Sequence, residues 1–180
     1  MNERTAAELL ASAIPPGGDS SWADLGAGQG TFTQALANLL GRTSRVFAVD
    51  RDAGAIAAIE RWATSATATV IPVLADFTAV FQLPGLPAPR LDGMLFANSL
   101  HYVRDADAVL RRLAEWLRPG GRLVVIEYDR RAANRWVPYP LPTARLQSLA
   151  ESVGFTRPVV TATRPSDYGG DIYVAAADRL

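Results

Sequence analysis

The sequence predicts an α/β protein in which helices cover both faces of a mostly parallel, doubly wound sheet. The main observation is that short apolar runs alternate about five times with amphipathic helical patterns, which is typical of parallel strands joined by crossover helices. A glycine-rich turn, 26–30, follows the first apolar run. After the last helical pattern, two strand patterns are joined by the loop 164–170, and a hairpin-like connection requires antiparallel neighbours. We therefore expect seven strands in a three-layer arrangement.

The elements of the first half are recognised by apolar spacing and by the residues that end them. Ala7, Leu10 and Ile14 share one face of a helix, which the Pro-Pro-Gly-Gly run 15–18 ends. Gly41 closes the second helix, and Asp52 can cap the third. The predicted elements are, in order, helix 4–14, strand 21–25, helix 30–40, strand 45–50, a helix that includes Ile56, Ile59 and Trp62, and strand 70–74.

The second half begins with a predicted loop, because residues 78–90 contain three prolines and one glycine. The Pro-Gly-Gly run 119–121 is expected to end the fourth helix, and Gly154 the fifth. No internal repeat or linker interrupts residues 1–180, so we expect a single domain. The predicted elements are strand 91–97, helix 105–117, strand 122–128, helix 141–153, and strands 158–163 and 172–177.

Composition excludes several kinds of site. The chain has no cysteine, which excludes disulfides, thiol nucleophiles and cysteine metal sites. All eighteen basic residues are arginine, which excludes a lysine Schiff base, and we expect no bound metal. Because the formal net charge is zero, a nucleic acid is a disfavoured partner. The N-terminus lacks the layout of a signal peptide, and no apolar run approaches membrane-spanning length, so we expect a cytoplasmic protein.

Residues 22–30, Trp-Ala-Asp-Leu-Gly-Ala-Gly-Gln-Gly, predict a buried strand, a tight turn and the start of a helix. Such a turn lets the backbone approach a ligand closely, and the helix start offers unpaired N–H groups. A dinucleotide fingerprint has glycine at its first, third and sixth positions, whereas the sixth position here is Thr31. A phosphate-binding loop needs a lysine, which this chain lacks. The acid Asp24 before the first glycine suits a cationic ligand better than a pyrophosphate.

This segment resembles the first motif of the class I S-adenosylmethionine-dependent methyltransferases, whose ligand carries an ammonium and a sulfonium and no phosphate. The predicted order of elements is similar, over nearly the whole chain, to the Rossmann-like sheet of that family. That sheet has seven strands and is mostly parallel with an antiparallel C-terminal strand. The resemblance implies a methyltransferase that binds S-adenosyl-L-methionine and transfers its methyl group by direct displacement.

Acids at the ends of neighbouring strands are expected to lie together at one edge of the sheet. Asp50 ends the second strand, where a carboxylate can bind both ribose hydroxyls; its alternative role is that of a turn residue that caps the next helix. The resemblance implies that Asp76 receives the adenine amino group and that Phe77 packs on the ring. The alternative for these two residues is an N-cap and a core aromatic. Arg51 can lie over the edge of the adenine.

The resemblance also implies how the methionine part is bound. Asp24 would help to hold the ammonium, directly or through water, and the backbone carbonyl of Asn98 would meet the same group. The glycine turn would let the backbone run along the rest of the methionine. The complete set of expected cofactor residues is Asp24, Gly26, Ala27, Gly28, Gly30, Asp50, Arg51, Asp76, Phe77 and Asn98.

The residues after the fourth strand, 98–102, bear on the methyl acceptor. They read Asn-Ser-Leu-His-Tyr and lack the two prolines of DNA amino-methyltransferases and related amide methylases. The segment looks more like the small-molecule methyltransferases, which often have a histidine there. His101 is the only histidine, and a neutral imidazole can take a proton from a hydroxyl or amine. Its alternative role is a loop histidine bonded to the backbone. Tyr128 is a second candidate for orienting the acceptor.

The segment 129–141, after the fifth strand, should border the acceptor. It contains three arginines together with Trp136 and Tyr139, which can hold an acidic or phosphorylated acceptor or form a solvated linker. No long inserted lid is present. We therefore expect an acceptor pocket that is open, or one that a second subunit of a homodimer or movement of this segment closes.

Two other functions stay open. The first is an NAD(P)-dependent oxidoreductase with a Rossmann site, which the glycine spacing and the missing lysine disfavour. The second is a binding module that holds S-adenosylmethionine without turnover, because the residues expected to bind the acceptor are less distinctive than those expected to bind the cofactor.

Overall fold

The computed structural model describes residues 2–15, 18–86, 91–129, 132–167 and 169–180. Its centre is a seven-stranded sheet with the strand order β3-β2-β1-β4-β5-β7-β6. β7 runs antiparallel to both of its neighbours, and the other pairs are parallel. This arrangement confirms the predicted mixed sheet with an antiparallel C-terminal strand. The strands are β1 (Ser21–Leu25), β2 (Arg45–Asp50), β3 (Thr69–Leu74), β4 (Leu91–Ala97), β5 (Leu117–Asp129), β6 (Val159–Pro165) and β7 (Asp171–Asp178).

Helices cover both faces of the sheet, as the alternating pattern predicts. Residues of α1, α2 and α3 pack in one apolar cluster, and residues of α4 and α5 pack in a second cluster on the opposite face. Among the described residues, no helix is long and apolar enough to cross a membrane. The helices are α1 (Glu3–Leu10), α2 (Thr31–Leu40), α3 (Ala53–Ala63), α4 (Ala106–Ala114) and α5 (Thr143–Ser152), with a 3-10 turn at Leu100–Tyr102.

The largest difference from the predicted elements lies at the start of β5. The run 119–121 does not end a helix, because α4 already ends at Ala114 and β5 begins at Leu117. Leu117 pairs with Leu91 and Arg122 with Gly93, so the glycines form an irregularity within the strand. The backbone N–H of Gly120 donates to the carbonyl of Arg179 at 2.9 Å. Pairing with the C-terminal residues therefore lets β5 continue through residues 119–121, although their sequence alone predicts the end of an element.

The order of strands places the ends of β1 and β4 beside each other at the centre of the sheet. The chain moves outward from β1 to β2 and β3, then returns to the other side of β1 with β4. Such a reversal opens a crevice at the carboxyl ends of the strands, where α/β proteins bind ligands. The same strands are held closely together because Trp22 lies opposite Gly93 in the β1–β4 register.

We expect Gly93→Ala to lower the free energy of unfolding by about 1–3 kcal/mol, the usual cost of overpacking. A Cβ at this position would come within 2.4 Å of three ring atoms of Trp22, which is 2% exposed. Urea denaturation measures the change. In a Trp22→Leu background the added methyl group should cost less, and an equal cost in both backgrounds would contradict the ring contact as its cause.

Candidate functional site

A cavity of about 570 Å³ lies at the carboxyl ends of β1, β2, β3 and β4. Its volume is within the range of about 300–1,000 Å³ that small-molecule sites have. Asp24 and Gly30 are expected cofactor residues that do not line it, whereas Ser99 and Tyr102 line it without having been assigned to the cofactor. The expected cofactor residues that do line it are Gly26, Ala27, Gly28, Asp50, Arg51, Asp76, Phe77 and Asn98.

The glycine turn is shaped by close contacts at two of its three glycines. Gly26 has φ +85°, and a Cβ there would lie 2.5 Å from the Cβ of Ser99. Gly30 has φ +90°, and a Cβ there would lie 2.4 Å from the ring of Trp62. Gly28 differs, because a Cβ at this position would meet nothing within 4 Å. The first and third glycines thus fix the turn against its neighbours, and the second leaves open space beside the cavity.

Asp50 is held in place by the turn that it faces. Its Oδ2 accepts the N–H of Gly28 at 2.8 Å, and its Oδ1 accepts the N–H of Asp52 at 2.9 Å. Each carboxylate oxygen has a second lone pair, so both atoms can accept a further hydrogen bond from a ligand. The alternative role of Asp50, to cap the next helix, is performed by Asp52 instead. Asp52 accepts the N–H groups of Gly54 and Ala55 at the start of α3.

Asp76 is ordered by the residues that follow it. Its Oδ1 accepts the backbone N–H and the hydroxyl of Thr78 at 2.8 and 2.6 Å. These bonds, with a smaller contribution from Arg51 at 3.9 Å, hold the pKa of the Asp76 carboxyl below its usual value. The ring of Phe77 packs edge-on against Phe96, with 5.7 Å between centroids. An ionised acceptor and an aromatic face therefore stand side by side on the cavity wall.

Asp24 is fully buried beneath the glycine turn. Its Oδ2 accepts the hydroxyl of Thr33, in the first turn of α2, at 2.6 Å. Its Oδ1 has no hydrogen-bond partner among the described residues. Burial raises the pKa of this carboxyl to about 7, the Thr33 hydroxyl opposes that rise, and the nearby Asp50 adds to it.

The end of β4 carries a second unpartnered oxygen. Asn98 is the one non-glycine residue with positive φ, +55°, within the described part of the chain. Its backbone N–H donates to Ile126 at 2.8 Å, and its side-chain Oδ1 is buried without a partner. Next to it, the hydroxyl of Ser99 donates to the carbonyl of Leu25 at 2.6 Å, which joins the ends of β4 and β1.

His101 forms a buried pair with Glu127, a residue that the sequence did not single out. Nδ1 of His101 lies 2.7 Å from Oε2 of Glu127, and the backbone N–H of His101 donates to Oε1 at 3.1 Å. Because a carboxylate only accepts hydrogen bonds, Nδ1 is the donor of this pair, and in a neutral imidazole Nε2 then keeps a free lone pair. The signal that could have revealed Glu127 is its position as a single acid in the apolar run 123–128.

The His101 side chain is almost completely buried, with 3% of its surface exposed. His101 itself does not line the cavity, but the adjacent Tyr102 does, with 4.3 Å between the two ring centroids.

Tyr128 lies further from the cavity. Its ring centroid is 5.9 Å from that of His101, and it is partly buried against the cluster that includes α1, α2 and α3. The structure therefore brings Tyr128 beside His101 without placing it on the cavity wall.

The part of the segment 129–141 that the structure describes is anchored at several points. The backbone N–H of Tyr139 donates to the carbonyl of His101 at 2.9 Å, and the hydroxyl of Tyr173 donates to the carbonyl of Leu141 at 2.6 Å. Trp136 is 62% exposed, with the Arg135 guanidinium 4.4 Å from its ring centroid. Arg130 and Arg131, two of the three predicted acceptor arginines, lie outside the described residues.

A family model described as a methyltransferase domain matches residues 23–121, more than half of the chain. This match includes the glycine turn, the strand-end acids and the His101 segment. The chain belongs to the class I S-adenosylmethionine-dependent methyltransferases. The match confirms the family that the glycine motif and the order of elements indicated, and S-adenosylmethionine is the cofactor.

Individual relatives are similar over different lengths. Fumosorinone synthetase of Cordyceps fumosorosea is 33% identical over 107 residues, 58% of this chain, and the match spans 3% of that much longer protein. The structure of 1,6-didemethyltoxoflavin-N1-methyltransferase from Burkholderia thailandensis is 24% identical, with a TM-score of 0.73 over 99% of this chain and 78% of that one. Magnesium protoporphyrin IX methyltransferase from Synechocystis is 19% identical, with a TM-score of 0.68 over 99% and 77%.

The site of this methyltransferase fits its cofactor on three observations. The cavity is large enough, Gly28 leaves open space beside it, and unpartnered oxygens of Asp24 and Asn98 stand at the ends of β1 and β4. Oxygen atoms that receive no hydrogen bond from the described residues suit a ligand that carries an ammonium group. Among the described residues, no group of three or more metal-ligating side chains is assembled.

We expect Asp24→Asn to become more stable relative to the unsubstituted protein as the pH rises from 4 to 8. The folded protein holds a proton on Asp24 up to about pH 7, whereas an ordinary carboxyl loses it near 3.8. As the pH rises, Asp24 ionises in the unfolded chain first, which favours unfolding. The free energy of unfolding of the unsubstituted protein therefore falls over this range by up to about 4 kcal/mol. Urea denaturation at several pH values measures the difference, and a constant difference would contradict the assignment.

Asp76→Asn is the matched control. Because the pKa of Asp76 is lowered, its carboxyl is ionised in both the folded and unfolded protein above about pH 5. The difference in stability between this variant and the unsubstituted protein should therefore stay nearly constant from pH 5 to 8.

Proposed function

We propose that this methyltransferase transfers a methyl group to a small-molecule acceptor by direct displacement. The observation that carries the proposal is the cavity itself, which is lined by the glycine turn, by Asp50 and Asp76, and by Tyr102, the neighbour of the paired His101. The Burkholderia relative is described with bound 1,6-didemethyltoxoflavin, and the Synechocystis relative acts on magnesium protoporphyrin IX. Both acceptors are small molecules, which supports the same class of acceptor here.

The cofactor would be held by residues at four strand ends. Asp50 has a free lone pair on each carboxylate oxygen for the two ribose hydroxyls, and Asp76 with Phe77 would bind the adenine. Arg51 would lie at the adenine edge. The other residues would hold the methionine part and shape the turn around it; these are Asp24, Gly26, Ala27, Gly28, Gly30 and Asn98.

His101 would take the proton that the acceptor atom loses. The bound cofactor supplies an electrophilic methyl carbon on a sulfonium. Glu127 accepts one hydrogen bond from Nδ1–H and another from the backbone N–H of His101. It would therefore fix both the tautomer and the position of the ring. Nε2 is then the ring nitrogen that would accept the proton. Tyr128 would help to orient the acceptor from its position beside the ring.

The acceptor would enter on the side of Tyr102 and the 132–141 segment. Arg135 and Trp136 offer a cation and an aromatic face there, which supports an anionic acceptor. The anchoring of this segment through Tyr139 disfavours its movement as the means of closing the pocket. A second subunit of a homodimer is the arrangement that we propose for closure.

Asp50→Ala should weaken the binding of S-adenosylhomocysteine on the order of 100-fold. Two charge-assisted hydrogen bonds to the ribose would be lost, worth roughly 3 kcal/mol together. Isothermal titration calorimetry measures the affinity, and circular dichroism checks the fold. Glu8→Ala, which removes an acid that pairs with Arg4 on the surface of α1, is the control and should bind normally. Unchanged affinity of Asp50→Ala would rule out the ribose role.

His101→Gln should lower kcat by about 10²–10⁴-fold, the usual contribution of a general base, with little change in the affinity for S-adenosylhomocysteine. Acceptors are first sought by incubating pooled small molecules with methyl-labelled S-adenosylmethionine. Glu127→Gln should lower kcat less than His101→Gln does, because the amide oxygen can still accept a hydrogen bond from Nδ1–H. Unchanged kcat in His101→Gln would contradict the role of His101 as the base.

The same experiments address the two alternatives. Transfer of label to no compound, with S-adenosylmethionine still bound, would favour the non-catalytic binding module. Binding of NAD(P) in place of S-adenosylmethionine would contradict the proposal outright.

A further inference from the structure

Asp24 is a buried acid that faces no cation among the described residues. It lies in β1 and points toward α2, because its neighbours Ala23 and Leu25 belong to the cluster on the other face. The groups around it are the Thr33 hydroxyl from α2 and the Asp50 carboxylate from β2. Within the described ranges, no arginine pairs with Asp24. Arg51, which follows Asp50, lies close to Asp76 instead.

A carboxylate in this position is disfavoured in three ways. It is removed from water, its Oδ1 receives no hydrogen bond from the described residues, and a second acid stands nearby. One hydroxyl, from Thr33, opposes these effects. The balance favours the neutral acid until either the pH rises past about 7 or a positive charge enters the site.

We propose that Asp24 is a proton-exchange group of the cofactor site, neutral in the free protein and ionised when a cationic ligand binds. The O–H bond of the Asp24 carboxyl breaks, the proton passes to the solvent buffer, and the carboxylate remains as the counter-charge of the ligand. No covalent bond to the ligand forms. This inference rests on the proposed binding of the methionine part of the cofactor near Asp24.

The proposal links affinity to pH through the charge of the ligand. S-adenosylmethionine brings a sulfonium and an ammonium, S-adenosylhomocysteine keeps only the ammonium, and adenosine has neither. Ligand-driven ionisation should therefore be largest for the methyl donor and absent for adenosine. Since the product is less cationic than the donor, loss of the methyl group would favour return of the proton to Asp24.

The experiment is titration calorimetry of the intact chain with S-adenosylmethionine in phosphate and in imidazole buffer. The dependence of the binding enthalpy on the ionisation enthalpy of the buffer gives the number of protons released. For a carboxyl that titrates at about 7, the release should approach one proton per ligand at pH 6 and fall to about one quarter at pH 7.5. Over the same interval the affinity should rise about eightfold. Higher pH is avoided because an α-amino group titrates at about 7.7–8.0.

Three variants and one ligand serve as controls. Asp24→Asn should release no proton, and its affinity should stay nearly constant from pH 6 to 7.5. Thr33→Val removes the hydrogen bond that opposes protonation, so its release at pH 7.5 should exceed that of the unsubstituted protein. Asp76→Asn should bind more weakly yet release the same number of protons. Adenosine should bind the unsubstituted protein without proton release.

The outcomes separate this proposal from the proposed function. Binding of S-adenosylmethionine with no proton release at pH 6, or equal release from Asp24→Asn, would overturn the role of Asp24 and leave the methyltransferase function intact. Absence of binding by the unsubstituted protein would overturn both. If Asp24→Asn does not fold, Thr33→Val decides the question, because an unchanged proton count in that variant contradicts the proposal.

Discussion

The contact between Gly26 and Ser99 is the constraint on which the site depends. It lies where the strand order reverses, so it sets how closely the end of β1 approaches the end of β4. A Cβ on Gly26 would be 2.5 Å from that of Ser99, and the Ser99 hydroxyl donates to Leu25 at 2.6 Å. The N–H groups of Gly26 and Ala27 donate to Val49 at 2.9 and 3.0 Å, which ties the turn to β2. Three strand ends are thereby joined through one turn, and Asp50 and Asn98, at two of these ends, line one cavity.

The three acids at the strand ends differ in how many hydrogen bonds their carboxyl groups accept from the protein. Asp76 is stabilised as a carboxylate by Thr78, and Asp50 accepts two backbone N–H groups. Asp24 has only the Thr33 hydroxyl and lies fully buried. A buried acid without a counter-charge costs folding free energy, so its presence is explained more readily by ligand binding than by stability. The unpartnered oxygen of Asn98, on the neighbouring strand end, fits the same explanation, since buried polar groups are usually paired.

Much of the fold and eight of the residues that line the cavity could be predicted because they depend on local patterns. Alternating strand and helix signals give a parallel sheet, and a parallel sheet brings Asp50, Asp76 and Asn98 to one edge. The start of β5 was predicted wrongly because its pairing with Leu91 and Arg179 is long-range, whereas Pro119 and its glycines read locally as a stop. Glu127 was missed for the same reason. Its partner His101 lies 26 residues earlier, so a single acid within an apolar run indicates that a partner is needed but not which residue supplies it.

The buried hydrogen bond between His101 and Glu127 fixes the position of the His101 ring. Glu127 lies in β5 and is fully buried, so it cannot move toward an acceptor; it can only hold His101. His101 in turn accepts the backbone N–H of Tyr139 at its carbonyl, which fixes the acceptor-side segment relative to the ring. A substitution in that segment would therefore change the position of His101 without contacting the cofactor. Under the proposed roles, β5 with the 132–141 segment would support the acceptor and β1 to β4 would support the cofactor, so acceptor specificity could change while the strand-end acids stay in place.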